Sequence, residues 1–294
     1  MRKAFRWIAI ALATLLQPVA SHAQDSPTVL HLAARLVEVP VTVQDNHSHY
    51  VDEIPRDQFR IIENGQPQAL KYFASSGDAL KCAILLDTTG SMTSILPRLK
   101  NSVIRFIDEL GPEDSVAIYS FAESVVTRQE LTKDKAEAKR AVLSLHAGGR
   151  TALYDALSEV TLEISHQTGK KALLVFTDGD DNASVLPVQA ATGRAIRNAV
   201  PLFTIAEGEA MQSEKLKKTL ADLSKSTGGQ TYEIRDLKDM AEIFTAISST
   251  LRHTYLLSYQ PPAGPTDGKW RHIEVLVGNE NKFRIRSKEG YFPN

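Results

Sequence analysis

The sequence predicts an α/β fold: a doubly wound, mainly parallel sheet inserted into a small β-sandwich. Three observations carry this reading. Between residues 77 and 252, short apolar runs alternate with helical patterns, the signature of βαβ units. On both sides, over 24–76 and 253–294, the chain reads as strands without helices between them. Two of the central apolar runs end on an aspartate, and in open α/β sheets the carboxyl ends of the strands are where ligands bind.

The first 23 residues have the pattern of a secretory leader. Arg2, Lys3 and Arg6 give a positive start, Trp7 to Leu16 an apolar stretch, and Ser21-His22-Ala23 small residues for cleavage after Ala23. Gln24 follows the expected cut, so no lipid-modified cysteine is predicted. No later run is apolar for long enough to span a bilayer. The expectation is an exported protein, periplasmic or secreted.

Residues 24–33 read as a loose start, and residues 36–43 alternate as a strand in which Pro40 points to an edge or a bulge. Residues 59–63 and 68–73 are two further strands. Asn64-Gly65 between them predicts a tight hairpin, because both residue types tolerate positive φ. In the central region strands are expected at 82–86, 115–121, 171–176, 201–206 and 230–234. Helices are expected near 93–110, 134–145, 151–166, 187–199, 213–226 and 238–251. Beyond Arg252, residues 255–259, 272–277 and 283–286 are strands, and 261–265 is a Pro-rich loop. Three strands alone bury little, so the two flanking segments are expected to combine into one sandwich.

Composition narrows the function classes. The 294 residues are 43% hydrophobic and 23% charged, as in ordinary globular proteins. A net charge of −1 gives no basic footprint for nucleic acid. The single cysteine, Cys82, lies in a core strand and cannot make an internal disulfide.

Three pieces carry chemistry. The run 82–86 ends in Asp87-Thr88-Thr89-Gly90-Ser91, which brings a carboxylate and two hydroxyls to one loop. Oxygen donors without nearby His or Cys suit a hard cation such as Mg2+ and not zinc. Gly148-Gly149 allows a tight backbone path, and Thr151 stands at the entry to a helix. The run 172–176 ends in Thr177-Asp178-Gly179, a second strand closing on a carboxylate.

Together these pieces resemble the von Willebrand factor type A domain and its metal-ion-dependent adhesion site. The family's Asp-x-Ser-x-Ser corresponds to Asp87, Thr89 and Ser91, with threonine at the middle position keeping the hydroxyl. Its lone threonine corresponds to Thr151 and its second aspartate to Asp178. The flanking strands are similar to those of secreted bacterial proteins related to this family, with Val39 to Asp45 and Gly290-Tyr291 as the matching segments. The resemblance implies a divalent ion, Mg2+ or else Mn2+ or Ca2+, with one position open for an Asp or Glu of a protein partner. It implies a binding or adhesion module and not an enzyme. A metal-dependent hydrolase and a scaffold with a vestigial site are the alternatives.

The neighbours of these residues have competing readings. Asp180, Asp181 and Asn182 either orient waters on the ion or form a solvated acidic loop. Asp155 either orients Thr151 or complements a helix dipole. His146 reads as a loop residue, and His47 with His49 as part of a polar turn and not a zinc pair. Nucleophile-elbow, Walker A, dinucleotide and zincin motifs are all missing from the sequence.

Overall fold

The computed structural model describes residues 36–207, 212–234, 236, 239–262, 268–278 and 282–293. The expected leader and the stretch 24–33 lie outside them. The chain enters through β1 (Val37–Gln44), β2 (Phe59–Glu63), β3 (Gln66–Gln68) and β4 (Leu70–Ala74). The central region follows as β5 (Leu80–Asp87), α1 (Leu96–Glu109), β6 (Ser115–Phe121), β7 (Val125–Thr132), α2 (Lys135–Leu143) and α3 (Leu153–Ser165). It continues with β8 (Lys170–Thr177), α4 (Val188–Arg197), β9 (Leu202–Ala206), α5 (Glu214–Thr227), β10 (Thr231–Glu233) and α6 (Met240–Arg252). Strands β11 (Thr254–Tyr259), β12 (Arg271–Val277), β13 (Arg284–Ser287) and β14 (Gly290–Tyr291) close the chain.

The central sheet has the order β10-β9-β8-β5-β6-β7. All its pairings are parallel except β6 with β7. Strand β5 is apolar throughout because both faces are covered. Cys82, Ile84 and Leu86 pack with Leu99 and Phe106 of α1, Val142 of α2 and Phe244 of α6. Ala83 and Leu85 pack on the other face with Leu157 of α3, Ala195 of α4 and Leu220 of α5. Strand β7 was not foreseen. Its polar sequence suits an antiparallel edge, and most of its residues are exposed or half-buried.

Two four-stranded antiparallel sheets, β13-β1-β11-β4 and β14-β12-β2-β3, make the sandwich. Each mixes strands from both ends of the chain. Alternate residues point inward: Val37, Val39, Val41 and Val43 of β1 meet Tyr255, Leu257 and Tyr259 of β11 and Ile273 and Val275 of β12. The turn between β2 and β3 has φ of 47° at Asn64 and 80° at Gly65, as the Asn-Gly pair predicts. The strand expected over 68–73 divides: β3 pairs with β2, and β4 crosses to pair with β11.

Pro40 is not on an edge strand, since β1 lies between β13 and β11. The physical condition for proline is still met. Pairing with β13 begins only at Val41, so the flank of β1 beside Pro40 has no ladder there. The α5 cap at Gly228 approaches Pro40 instead.

Candidate metal centre

Three segments meet at the carboxyl ends of the central strands. Strand β5 delivers Asp87 and runs into a 3-10 turn over Gly90–Ser94. Strand β8 delivers Thr177 and Asp178. The loop 148–152 is stitched to the first segment by Gly148 N–H on the Thr88 carbonyl at 2.7 Å and Gly90 N–H on the Gly149 carbonyl at 3.3 Å. Gly149 has φ +92°, and a Cβ there would lie 3.0 Å from that of Ala122, so this close path needs glycine.

Four of the five expected donors lie in one chain of contacts, two hydroxyl-to-carboxylate hydrogen bonds that meet at a close Thr89–Ser91 oxygen pair. The Thr89 hydroxyl donates to Asp87 Oδ1 at 2.7 Å, and the Thr89 backbone N–H reaches the same oxygen at 2.9 Å. Thr89 Oγ1 and Ser91 Oγ are 3.1 Å apart, and Ser91 Oγ donates to Asp178 Oδ1 at 2.9 Å. Thr151 is placed by its backbone: its N–H donates to Asn182 Oδ1, and its carbonyl accepts from Asn182 and Ala183. Among the described residues, no hydrogen bond ties its hydroxyl to the other four.

These hydroxyls are not helix caps. Thr89 stands at the N-cap of the 3-10 turn and Ala152 at that of α3, and neither helix end receives a cap bond from its own N-cap side chain. The exposed N–H groups of α3 are met from elsewhere. Asp181 Oδ2 accepts from Tyr154 N–H and Ser184 Oγ from Asp155 N–H. The Thr89 hydroxyl is thus spent on Asp87 and not on a helix end.

Burial sets the electrostatics. Asp87 is fully buried, and Thr89, Thr151 and Asp178 are each at most 5% exposed, beneath a rim of exposed Gly90, Ser91, Gly149 and Arg150. Burial pushes the Asp87 carboxyl above its ordinary range, although bonds from Thr89 and Thr177 oppose this. Thr177 escaped the sequence reading. Its hydroxyl donates to Asp87 Oδ2 at 2.8 Å and so fixes the carboxylate from the β8 side. The only hint was a threonine directly before a strand-end aspartate.

Among the described residues, no three His, Cys, Asp or Glu side chains converge into a metal-holding group. An ion here would rest on two carboxylates and neutral hydroxyls, a donor set that fits a hard divalent cation. The remaining candidates have structural duties. Asp155 accepts from Val185 and Leu186 N–H, and Asp181 also holds Ser184, so both fold the 181–186 loop. His47 and His49 are exposed and follow Asp45, whose Oδ1 accepts both their backbone N–H groups. His146 is exposed.

The model of the von Willebrand factor type A domain matches residues 82–246, more than half of the chain. The chain belongs to this family. None of the curated proteins matches it by sequence. Among solved structures, this VWA protein is similar to a von Willebrand factor type A protein from Catenulispora acidiphila. That match has TM-score 0.54 and 15% identity, and covers 88% of this chain and 74% of that one. It is also similar to proximal thread matrix protein 1 from the mussel byssus (TM-score 0.53, 19% identity, 63% of this chain and 49% of that one). A form of the byssus protein described as having a zinc-occupied MIDAS motif matches with TM-score 0.54 and 18% identity. The VWA chain spans about half the length of these byssus proteins. At such identities the likeness concerns the fold.

Proposed function

We propose that this VWA protein is an exported binding module that captures a protein partner through a divalent ion held by Asp87, Thr89, Ser91, Thr151 and Asp178. One observation carries the proposal: the close oxygen cluster of Asp87, Thr89, Ser91 and Asp178, in which each hydroxyl donates to a carboxylate, buried at its base and open at Ser91. Its hydroxyls are not used as caps, and its carboxylates come from two different strands. Bound there, Mg2+, Mn2+ or Ca2+ would act as a Lewis acid with its charge balanced by Asp87 and Asp178. It would keep a coordination position open for one more oxygen ligand. An Asp or Glu of a partner suits that role, because the exposed rim at Gly90, Ser91 and Gly149 admits another protein's side chain.

The reading is a binding module and not a hydrolase, since the hydroxyls at the site pair with the two carboxylates that would hold the ion, and the acids around it fold the 181–186 loop. Export belongs to the same proposal. It rests on the leader-like residues 1–23, with a mature chain from Gln24 whose VWA domain spans 77–252 between the two sandwich segments. Among the described residues, no helix is long and apolar enough to cross a membrane. Mass spectrometry of the mature N-terminus tests the cleavage. The binding role is tested by calorimetric titration with Mg2+ and Mn2+, then by partner capture in Mg2+ against chelator. Wild type should bind the ion and capture a partner only with it, and Asp87→Ala should do neither. Equal capture in chelator would place recognition on another surface.

A further inference from the structure

Glu207 stands one residue beyond β9, whose Ala206 is the register partner of Thr177. Its backbone N–H donates to the Thr177 carbonyl at 3.3 Å. Glu207 and Asp178 therefore leave neighbouring parallel strands side by side, at the same pole as the candidate metal centre. Such strands are about 4.8 Å apart. The Glu207 side chain is 8% exposed, and its Oε2 is buried with no hydrogen-bond partner among the described residues. Burial, and then the Asp178 carboxylate, push the Glu207 carboxyl above its ordinary range.

A buried carboxylate oxygen without a donor, placed beside a second carboxylate, is among the costlier arrangements a fold can hold. Glutamine would fill the same space without that charge. No lysine or arginine is bonded to Glu207 among the described residues, so the core supplies no reason for the acid. A cation at the neighbouring site does.

We infer that Glu207 is an outer carboxylate of the metal centre, which accepts a hydrogen bond from an ion-bound water and adds a third negative charge beside Asp178. The inference rests on the reading of Asp87 to Asp178 as a metal site. Because the acids do not converge into a group of three, Glu207 acts through water and Asp178 and is a positioning residue. A third negative charge has two consequences. It strengthens retention of a divalent ion, and it makes the metal-free state less stable through repulsion from Asp178.

The test is Mn2+ titration and thermal melting of the mature chain as wild type, Glu207→Gln and Asp87→Ala. Glu207→Gln should bind Mn2+ about tenfold more weakly, in the range of outer-sphere substitutions at metal sites. Without metal it should melt higher than wild type. These opposite signs separate the role from a structural one, which would lower the melting temperature with and without metal. Glu207→Ala carries the same expectation for affinity and keeps the test open if the glutamine variant does not fold. Unchanged affinity at Glu207 variants, with binding lost in Asp87→Ala, would overturn the Glu207 assignment alone. Absence of Mn2+ binding by wild type would overturn the metal site itself and this inference with it.

Discussion

Asp87 is fully buried, and its oxygens meet only neutral donors in the described hydrogen bonds, from Thr89 and Thr177. Its carboxyl is raised in the fold, first by burial. A raised acid stabilises the fold below its unfolded pKa, and that contribution is lost as pH rises through the folded one. Metal-free protein should therefore lose stability as pH climbs out of the acidic range, and Asp87→Asn should flatten that loss. A divalent ion should remove it too. At ten times its dissociation constant the ion adds only ~1.4 kcal/mol, or roughly 3–6 °C in a chain of this size. Thermal melting at pH 5 and 7, with Mg2+ and with chelator, reads all of this, and a metal shift that persists in Asp87→Asn would move the ion elsewhere. Lys170, at the opposite pole, gives a second pH signature. It is 4% exposed and donates to the Ser76 carbonyl at 2.5 Å. Burial pulls its ammonium down to about 8, against attraction by Asp114, Asp78 and Asp52. Between that value and the ordinary lysine range the unfolded chain binds the extra proton, so stability rises with pH there, by up to about 3 kcal/mol. The buried Cys82 thiol, raised by burial, acts in the opposite sense over part of this window. The lysine contribution is thus the difference between wild type and Lys170→Met in urea unfolding at pH 7 to 10. Parallel profiles would refute it.

At the scale of elements, much of the architecture was legible because local and tertiary signals agree. Cys82 to Leu86 and Ala172 to Phe176 are apolar on both faces, and only a strand covered on both sides by helices buries such runs. The two strand-end aspartates were legible for the same reason, since a sharp change from apolar to oxygen-bearing residues marks the sheet edge. Strand β7 was not legible: Thr127, Arg128, Gln129 and Glu130 bury little, and its pairing is decided by β6 beside it. Thr177 and Glu207 were missed because their importance lies in register between neighbouring strands, β8 with β5 for Thr177 and β8 with β9 for Glu207, which no short motif encodes. The glycines divide similarly. Gly65 has φ +80° in open space, so Gly65→Ala should cost about 1 kcal/mol of backbone strain. Gly229 follows the left-handed α5 cap at Gly228, and a Cβ there would fall 2.0 Å from the Leu202 carbonyl oxygen. Backbone cannot yield as a side-chain tip does, so Gly229→Ala should cost upwards of about 3 kcal/mol, the upper end of overpacking. Denaturant melts of the two variants check the order; equal costs would mean that β9 and α5 separate easily.

Across the whole molecule, the two ends of the chain are tied together inside the sandwich by strand pairing and by one buried polar cluster. Strand β1 is held by β11 along Val37 to Thr42 and by β13 along Val41 to Gln44. Strand β2 is held by β12, and β12 by β14. Glu63, at the end of β2, is 7% exposed, and its Oε2 accepts from Tyr259 at 2.6 Å and Tyr291 at 3.2 Å. Those tyrosines belong to β11 and β14, so one buried carboxylate depends on two strands from the far end of the chain. Removing residues 284–294 deletes β13 and β14. It strips β13 from β1 over Val41 to Gln44, takes Tyr291 from the sandwich core and leaves Glu63 with a single tyrosine. Breaking bonds to a buried carboxylate alone costs about 1–3 kcal/mol, and the lost apolar burial adds to it. Tyr291→Phe should reproduce only the hydrogen-bond part, and the truncation should cost several-fold more. The discriminating measurement is amide hydrogen exchange of the truncated chain with Mg2+ present. If the sandwich supports the central sheet, protection should fall in β5 and β8 as well as in β1 and β2. Full protection of β5 and β8 above an exchanging sandwich would show instead that the VWA domain stands alone, with the sandwich as its independent mount.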